Sequence, residues 1–500
     1  MQTPSSLGEY RPTVPRRRTR DPLFAPPRMS DRPGFSLAPD AFSPPLDRGF
    51  MPAFRWRQTY RRQVTAKGGA VPVTIAVARP GGGASHFQTE IFPEEEATLW
   101  ANVRFLERTV KFLLWSRGGS QVWIAGAPVA TAAIAAAYAP GGARAFDADF
   151  LGRKIYLEDF SVRACDLAEL PPTTDRPRAG GGGTQGCRIG FDLGGSDRKV
   201  AALIDGQVVF SEETRWDPYF QPDPAYHVEG IRDSLRRAAA HLPRVDAIGG
   251  SAAGVYVDNE PRVGSLFRGV PEDLFTACIR PIFKRLAAEW NVPVEVANDG
   301  DVTALAAARM IGEPSSGGVL GLSLGTSLAG GYVAPGGGLM PWLNELAFVP
   351  VDYRVEDAPV DEWSGDAGTG VRYHSQQALG QLLHRPEIPE AGTLPEKLVA
   401  LQAAATRGEA WVDPVYESLG IYLGYSLIHF AEFYDFSHVL VLGRLTTGPG
   451  GDLLLDKARA VLREEVPEFH EAIAFLSIDE KFKRHGQAMA AASLPRLDQG

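Results

Sequence analysis

Two widely separated segments of this chain share one anatomy: an apolar strand, a glycine-rich turn and a second apolar strand. The first runs Arg188-Ile189-Gly190-Phe191-Asp192-Leu193-Gly194-Gly195-Ser196-Asp197-Arg198-Lys199, continues through 200–204, and turns back at Asp205-Gly206 into 208–210. The second runs Val319-Leu320-Gly321-Leu322-Ser323-Leu324 into Gly325-Thr326-Ser327 and out through 328–333. Apolar runs joined this tightly read as β-hairpins rather than as strands feeding helices. Glycines let backbone N–H groups approach an anion, Ser196 adds a hydroxyl donor, and Lys199 or Arg198 adds charge. Asp192, closing a buried strand, is placed to hold a hydrated magnesium ion. Thr326 and Ser327 give the second turn its hydroxyls. An ordinary hairpin turn explains either segment alone. Two in one chain suggest two related halves, each offering a glycine turn to one polyphosphate.

The chain between and beyond these hairpins alternates helix and strand. Residues 228–241 form a helix with Ile231, Leu235 and Ala238 on its apolar face, and 272–290 form another. The strand 245–248 ends in Gly249-Gly250-Ser251-Ala252-Ala253-Gly254, small residues that admit either a ligand or a packed backbone. The strand 292–296 ends in Ala297-Asn298-Asp299-Gly300-Asp301, with a helix from 302. Asp301 is well placed as its N-cap, but capping needs only one such residue. Asn298 and Asp299 stand at the carboxyl end of a sheet strand, where open α/β sheets bind ligands. A carboxylate there can take a proton from a substrate hydroxyl while a neighbouring amide orients the same alcohol. Near the end, a buried strand over 439–444, closing in Gly443-Arg444, runs into Gly448-Pro449-Gly450-Gly451 and then a helix over 452–463. That third glycine turn can pass under an adenine base.

Five hundred residues suffice for two to four domains. A net charge of −9 supplies no electrostatic footprint for nucleic acid. No run reaches membrane-span length, and the start lacks a signal-peptide apolar core. Three scattered cysteines form neither a disulfide framework nor a zinc cluster, which fits a reducing cytoplasm. Residues 1–60, rich in Pro and Arg, read as a disordered arm, either an interaction tail or a solvating leader. Residues 64–165 read as a compact domain in the order β-β-α-β-α-β, its last strand over 155–162. Asp147, Asp149, Glu158 and Asp159 are there a polar strand edge, and no catalytic constellation emerges. The Gly/Pro-rich stretch 171–186 is the linker between that domain and the first glycine hairpin.

In their order, these pieces resemble the sugar-kinase and actin superfamily of two-lobed ATPases, and within it the ROK family of sugar kinases and regulators. The likeness covers about 188 to 495. Phe191-Asp192-Leu193-Gly194-Gly195-Ser196 is similar to the family's first phosphate loop and Leu322-Ser323-Leu324-Gly325-Thr326-Ser327 to its second. Val441-Leu442-Gly443-Arg444 is similar to the adenosine strand. Asn298-Asp299 is similar to the pair in which the aspartate is catalytic base and the asparagine binds sugar. The resemblance implies an actin-like (ribonuclease H-like) α/β fold, with lobe one over 187–300 and lobe two over 301–500. A last helix near 486–494 would return to lobe one. It implies ATP and Mg2+ as cofactors, a sugar and a nucleotide as small-molecule partners, and a homodimer as the compatible assembly. Asp299 would be the base in phosphorylation of a hexose or N-acylhexosamine. Gly254, Asn298 and Glu345 would contact the sugar. Asp192, Gly194, Gly195, Ser196, Lys199, Gly325, Thr326, Ser327, Gly443 and Arg444 would contact ATP.

The departures define a second reading. Asn344-Glu345-Leu346-Ala347-Phe348 keeps the family's sugar-binding glutamate but puts Phe348 where its zinc-binding histidine stands. Ser364-Gly365-Asp366-Ala367-Gly368-Thr369 replaces its cysteine-rich segment, so no zinc is expected. Arg444 replaces a usual glycine, and no helix-turn-helix precedes the lobes. These favour a sugar or nucleotide sensor with weak or no kinase activity. Residues 64–165 repeat the element order of lobe one. They read either as a degenerate lobe or as an unrelated domain with a common order.

Overall fold

In a computed structural model, residues 41–177, 183–312, 317–354, 356–383, 392–477 and 480–497 are described, fourteen α-helices and fifteen strands among them. Residues 1–40 of the expected arm and 178–182 of the linker lie outside them. The amino-terminal part comprises α1 (Ala53–Lys67), β1 (Val71–Ala78), β2 (Ala84–Ile91), α2 (Glu96–Arg117), β3 (Gln121–Ala125), α3 (Pro128–Tyr138), α4 (Ala145–Asp149) and β4 (Ser161–Cys165). The first lobe comprises β5 (Cys187–Leu193), β6 (Asp197–Ile204), β7 (Gln207–Arg215), α5 (Pro224–Ala239), β8 (Ala247–Ala252), β9 (Val255–Val257), β10 (Glu260–Val263), α6 (Glu272–Leu274), α7 (Ile282–Trp290) and β11 (Val294–Asn298). The second comprises α8 (Asp299–Ile311), β12 (Gly318–Leu324), β13 (Leu328–Val333), α9 (Gln377–Leu382), α10 (Leu394–Thr406), α11 (Asp413–Phe430), β14 (Phe436–Leu442), α12 (Gly448–Glu465), α13 (Pro467–Ala472), β15 (Ala474–Leu476) and α14 (Glu480–Ala492).

The sheet of lobe one has the order β11-β8-β5-β6-β7. β5, β8 and β11 run parallel, while β6 and β7 continue the hairpin antiparallel. The sheet of lobe two, β13-β12-β14-β15, repeats that plan with β12, β14 and β15 parallel. Parallel strands need helical crossovers, and the alternating helices supply them. α14 returns to lobe one and packs on β5 and β8. In both sheets the parallel strands end on one edge, where the glycine turns and the Asn298-Asp299 junction gather.

Several expectations need correction. The arm does not extend to residue 60: α1 starts at Ala53, because Trp56, Tyr60 and Val64 form one apolar face that is fully buried. The strand expected over 155–162 is a π-helical turn over Phe150–Tyr156 followed by β4. The first half of the linker is docked, with Thr174 bonded to Ala84 and Asp175 paired with Arg79. The helix after the third glycine turn starts at Gly448, so that turn is itself helical. The amino-terminal sheet, β2-β1-β3-β4, shares the spatial order of a lobe, but β3 runs antiparallel to β1 where β8 and β14 run parallel to β5 and β12. Reversing a strand changes which sheet edge its connections leave from, so this sheet is not a copied lobe.

Among the described residues, the amino-terminal part shares its core with the second lobe. One apolar cluster runs from Phe50 through Tyr156, takes in Val255 of β9, and continues through Leu320 to Leu462, whereas the sheet and helices of lobe one have a separate core around Phe191, Ile248 and Phe283. Phe112 of α2 stacks on Phe433 at 3.8 Å, and Arg57 pairs with Glu432 at 2.8 Å. In packing, the amino-terminal part belongs to lobe two.

Candidate active site

The parallel register of β5, β8 and β11 sets Leu193, Ala252 and Asn298 side by side, so Asp192, Gly254 and Asp299 share one sheet edge. Asn298, rather than Asp301, caps α8: its side-chain oxygen accepts from Gly300 N–H at 2.7 Å. The helix starts three residues earlier than expected because the carboxylate at 301 points elsewhere. The Asn298 amide donates to the Gly254 carbonyl at 2.7 Å. Gly254 sits at φ +133°, a conformation that disfavours any side chain. Asp299 therefore follows a residue tied at both ends.

Four carboxylates converge here. Asp192 accepts from the Ser251 hydroxyl at 2.7 Å. Burial pushes its carboxyl up to about 6; the Ser251 bond and Lys199 draw it down, and Asp299 adds to the rise. Burial also raises Asp299, opposed by the Gly300 N–H. Asp301 accepts from Tyr332 N–H at 3.2 Å and from the Asn344 amide at 2.8 Å, while Asn344 accepts from the Tyr434 hydroxyl. Burial lifts Asp301 and Glu345 to about 7 each, and Asp299 lies close enough to raise both. Asp301 is thus held by Tyr332 and Asn344, whereas the Asp299 carboxylate accepts from the Gly300 N–H at 3.0 Å.

The phosphate-turn candidates divide into two groups. In the first turn Gly194 N–H donates to Asp197 O at 2.9 Å and the Trp216 indole donates to Gly194 O at 2.7 Å. The Tyr219 hydroxyl occupies the space where a Cβ on Gly195 would stand, so a larger residue there would have to displace that ring. Ser196 donates to the Asp197 carboxylate at 2.9 Å, and Lys199 lies 3.7 Å from the same carboxylate. Asp197, which the motif reading does not single out, therefore engages both groups expected to meet phosphate. A carboxylate inside a proposed anion turn was the available signal. In lobe two, the parallel pair β12 and β14 brings Gly325-Thr326-Ser327 beside Gly443-Arg444, and Thr326, Ser327 and Arg444 are exposed.

Phe348 and Asp366 are both engaged in packing against the amino-terminal part. Phe348 stacks on Trp115 of α2 at 4.2 Å, and Asp366 is buried among Arg108, Lys111 and Arg144. Asp147, expected at a polar strand edge, is buried against Lys111 and the Trp115 indole. Neither residue belongs to a local motif, so the sequence carried no signal for this cluster.

No family model matches the chain, and no curated protein matches it. Similar solved structures include a ROK family glucokinase from Streptomyces griseus in complex with glucose and AMPPNP. It is 20% identical, with 62% of this chain and 99% of that one covered, at a TM-score of 0.46. A ROK hexokinase from Thermus thermophilus is 19% identical over 61% and 97%, at 0.47. A ROK family transcriptional regulator, homolog of the E. coli MLC protein, is 18% identical over 62% and 77%, at 0.47. On the strand order and strand sense of its own two sheets, this chain has the two-lobed actin-like ATPase (ribonuclease H-like) α/β fold with an extra amino-terminal α/β part.

Proposed function

We propose that this protein phosphorylates a sugar, a hexose or N-acylhexosamine, with ATP as donor and Asp299 as general base. The observation that carries this is Asp299 itself: a carboxylate of raised basicity, held by the capped Asn298 at the edge where β5, β8 and β11 end. A sugar hydroxyl lying on Asn298 and Glu345 gives its proton to Asp299 as its oxygen bonds to the terminal phosphorus and the bond to ADP breaks. Asp192, buried beside Asp299 and carrying one hydroxyl donor, fits a water-mediated magnesium ion, which would neutralise charge on the transferring group. Asp301, with one carboxylate oxygen bonded to both Tyr332 N–H and the Asn344 amide, suits tying α8 to β13 and the 344 segment better than proton transfer. Asp299→Asn should lower turnover by about 10²–10⁴-fold and leave nucleotide Kd near wild type. Unchanged turnover would remove Asp299 from this role.

One observation favours the second reading, a sugar or nucleotide sensor. Asp197 places a negative charge in the first turn and engages Ser196 and Lys199. ADP release across a panel of sugars with ATP and magnesium separates the two. Release supports the kinase. Sugar binding without release supports the sensor.

A further inference from the structure

The last carbonyls of a helix lack intrahelical donors and usually meet water or a cap. At the end of α2 two of them meet the candidate sugar loop: Asn344 N–H donates to Ser116 O at 2.8 Å and Glu345 N–H to Trp115 O at 2.9 Å. In the same turn, Trp115 stacks on Phe348 and donates its indole N–H to Asp147. One to two turns earlier lies a buried ionic cluster. Arg108, Lys111 and Arg144 face Glu107 and Asp147 from the amino-terminal part and Asp366 from lobe two. Three cations meet three anions only when Asp366 is included. Without it the cluster would hold an uncompensated buried charge, which is strongly unfavourable. Asp366 in turn sits just ahead of Thr369 and Gly370, which are bonded to the segment behind Glu345 through Pro350 and Val349. The linker adds a further tie, since Asp175 accepts from the Trp342 indole at 2.7 Å.

We propose that the amino-terminal part is a built-in positioning element for the sugar site, with α2 holding the 344–348 loop and, through Asp366, the 361–370 loop. This deepens the functional reading above and rests on it for the identity of the ligand. Histidine and cysteines are missing at Phe348 and over 364–369, and these are the residues that α2 engages. Trp115, Lys111 and Arg108 are positioning residues, because their contacts end on the 344–348 loop and on Asp366, and of these only Glu345 is placed against the sugar.

The test compares Phe348→Ala, Phe348→Tyr and Asp366→Asn in the full chain. The readouts are amide hydrogen exchange at Asn344 and Glu345 and binding of glucose, N-acetylglucosamine and AMPPNP. In Phe348→Ala and Asp366→Asn, the 344 and 345 amides should exchange about tenfold faster while those of β12 and α11 keep wild-type rates. Phe348→Tyr should restore protection. Sugar Kd should weaken about tenfold with AMPPNP Kd within about twofold. Wild-type exchange at both amides in a folded Phe348→Ala protein overturns the proposal, as does equal weakening for sugar and nucleotide. Should Asp366→Asn fail to fold, the Phe348 pair decides alone. A wild-type protein that binds neither sugar overturns the sugar reading, and the exchange arm still decides the positioning role.

Discussion

Truncating Phe112 tests whether the amino-terminal part and lobe two are one folding unit. Phe112 lies on α2, is fully buried, and stacks face to face with Phe433 at 3.8 Å and 17°. Phe433 stacks in turn on Phe87 of β2, and Phe112 meets the edge of His429 on α11 at 5.0 Å. Removing a buried phenyl ring costs about 3–5 kcal/mol, and the stacked partner left behind keeps this site toward the upper end. Against a typical total of about 5–15 kcal/mol, that is a third or more. Because α2 and α11 share one core, Phe112→Ala should lower protection in both helices equally. α5, in the separate core of lobe one, should keep its own. The assay is native-state hydrogen exchange in a urea series, following α2, α11 and α5. Loss confined to α2, with α11 as in the wild type, would refute the shared core.

Asp197→Lys should tighten ATP–magnesium binding about tenfold, because it reverses a charge a few ångströms from Ser196 and Lys199; unchanged or weaker binding by calorimetry would exclude the first turn as a phosphate site. Asn298→Ala removes the cap of α8 and should cost about 1 kcal/mol in urea unfolding, with weaker sugar binding besides; no stability change would contradict the cap. Asp301 and Glu345 are lifted to about 7, above the ordinary carboxylate values they have when unfolded. The folded state therefore binds more protons between about pH 4 and 7, and their contribution to stability falls as pH rises through that window. Asp301→Asn should flatten the fall in thermal scans; an identical pH slope would contradict it.

Most elements of lobe one were legible from local signals, although the helix expected over 272–290 breaks at Arg280-Pro281 and the β9–β10 hairpin was not read. Asp205-Gly206 marks a turn, Ile231, Leu235 and Ala238 mark a helix face, and Gly194-Gly195 marks a hairpin. The chemistry at Asn298 and Asp299 was legible for a related reason, since a carboxylate and an amide exceed what one helix cap needs. Asp301 misleads because an aspartate before an apolar helical run is the usual cap signal. Its carboxylate instead meets Tyr332 and Asn344, residues far along the chain that no window of sequence connects to it.

The amino-terminal part escapes such reading for a different physical reason. A Gly/Pro-rich stretch marks where the chain can bend, but 171–186 does not also mark where packing stops. Packing is decided by faces, and α2 is apolar or specifically charged nearly all round. Beyond Ala101, residues as polar as Glu107, Arg108 and Lys111 are buried along it. In sequence such residues describe a solvated face, because a charged group normally stays in water. They can be buried only if each meets a partner, and the partner that completes their balance, Asp366, stands 258 residues from Arg108. The same polarity that makes α2 look half exposed is what fixes it to lobe two, because an ionic cluster tolerates few arrangements where an apolar face tolerates many. The part of the chain with no motif of its own thus comes to hold the loop carrying Glu345.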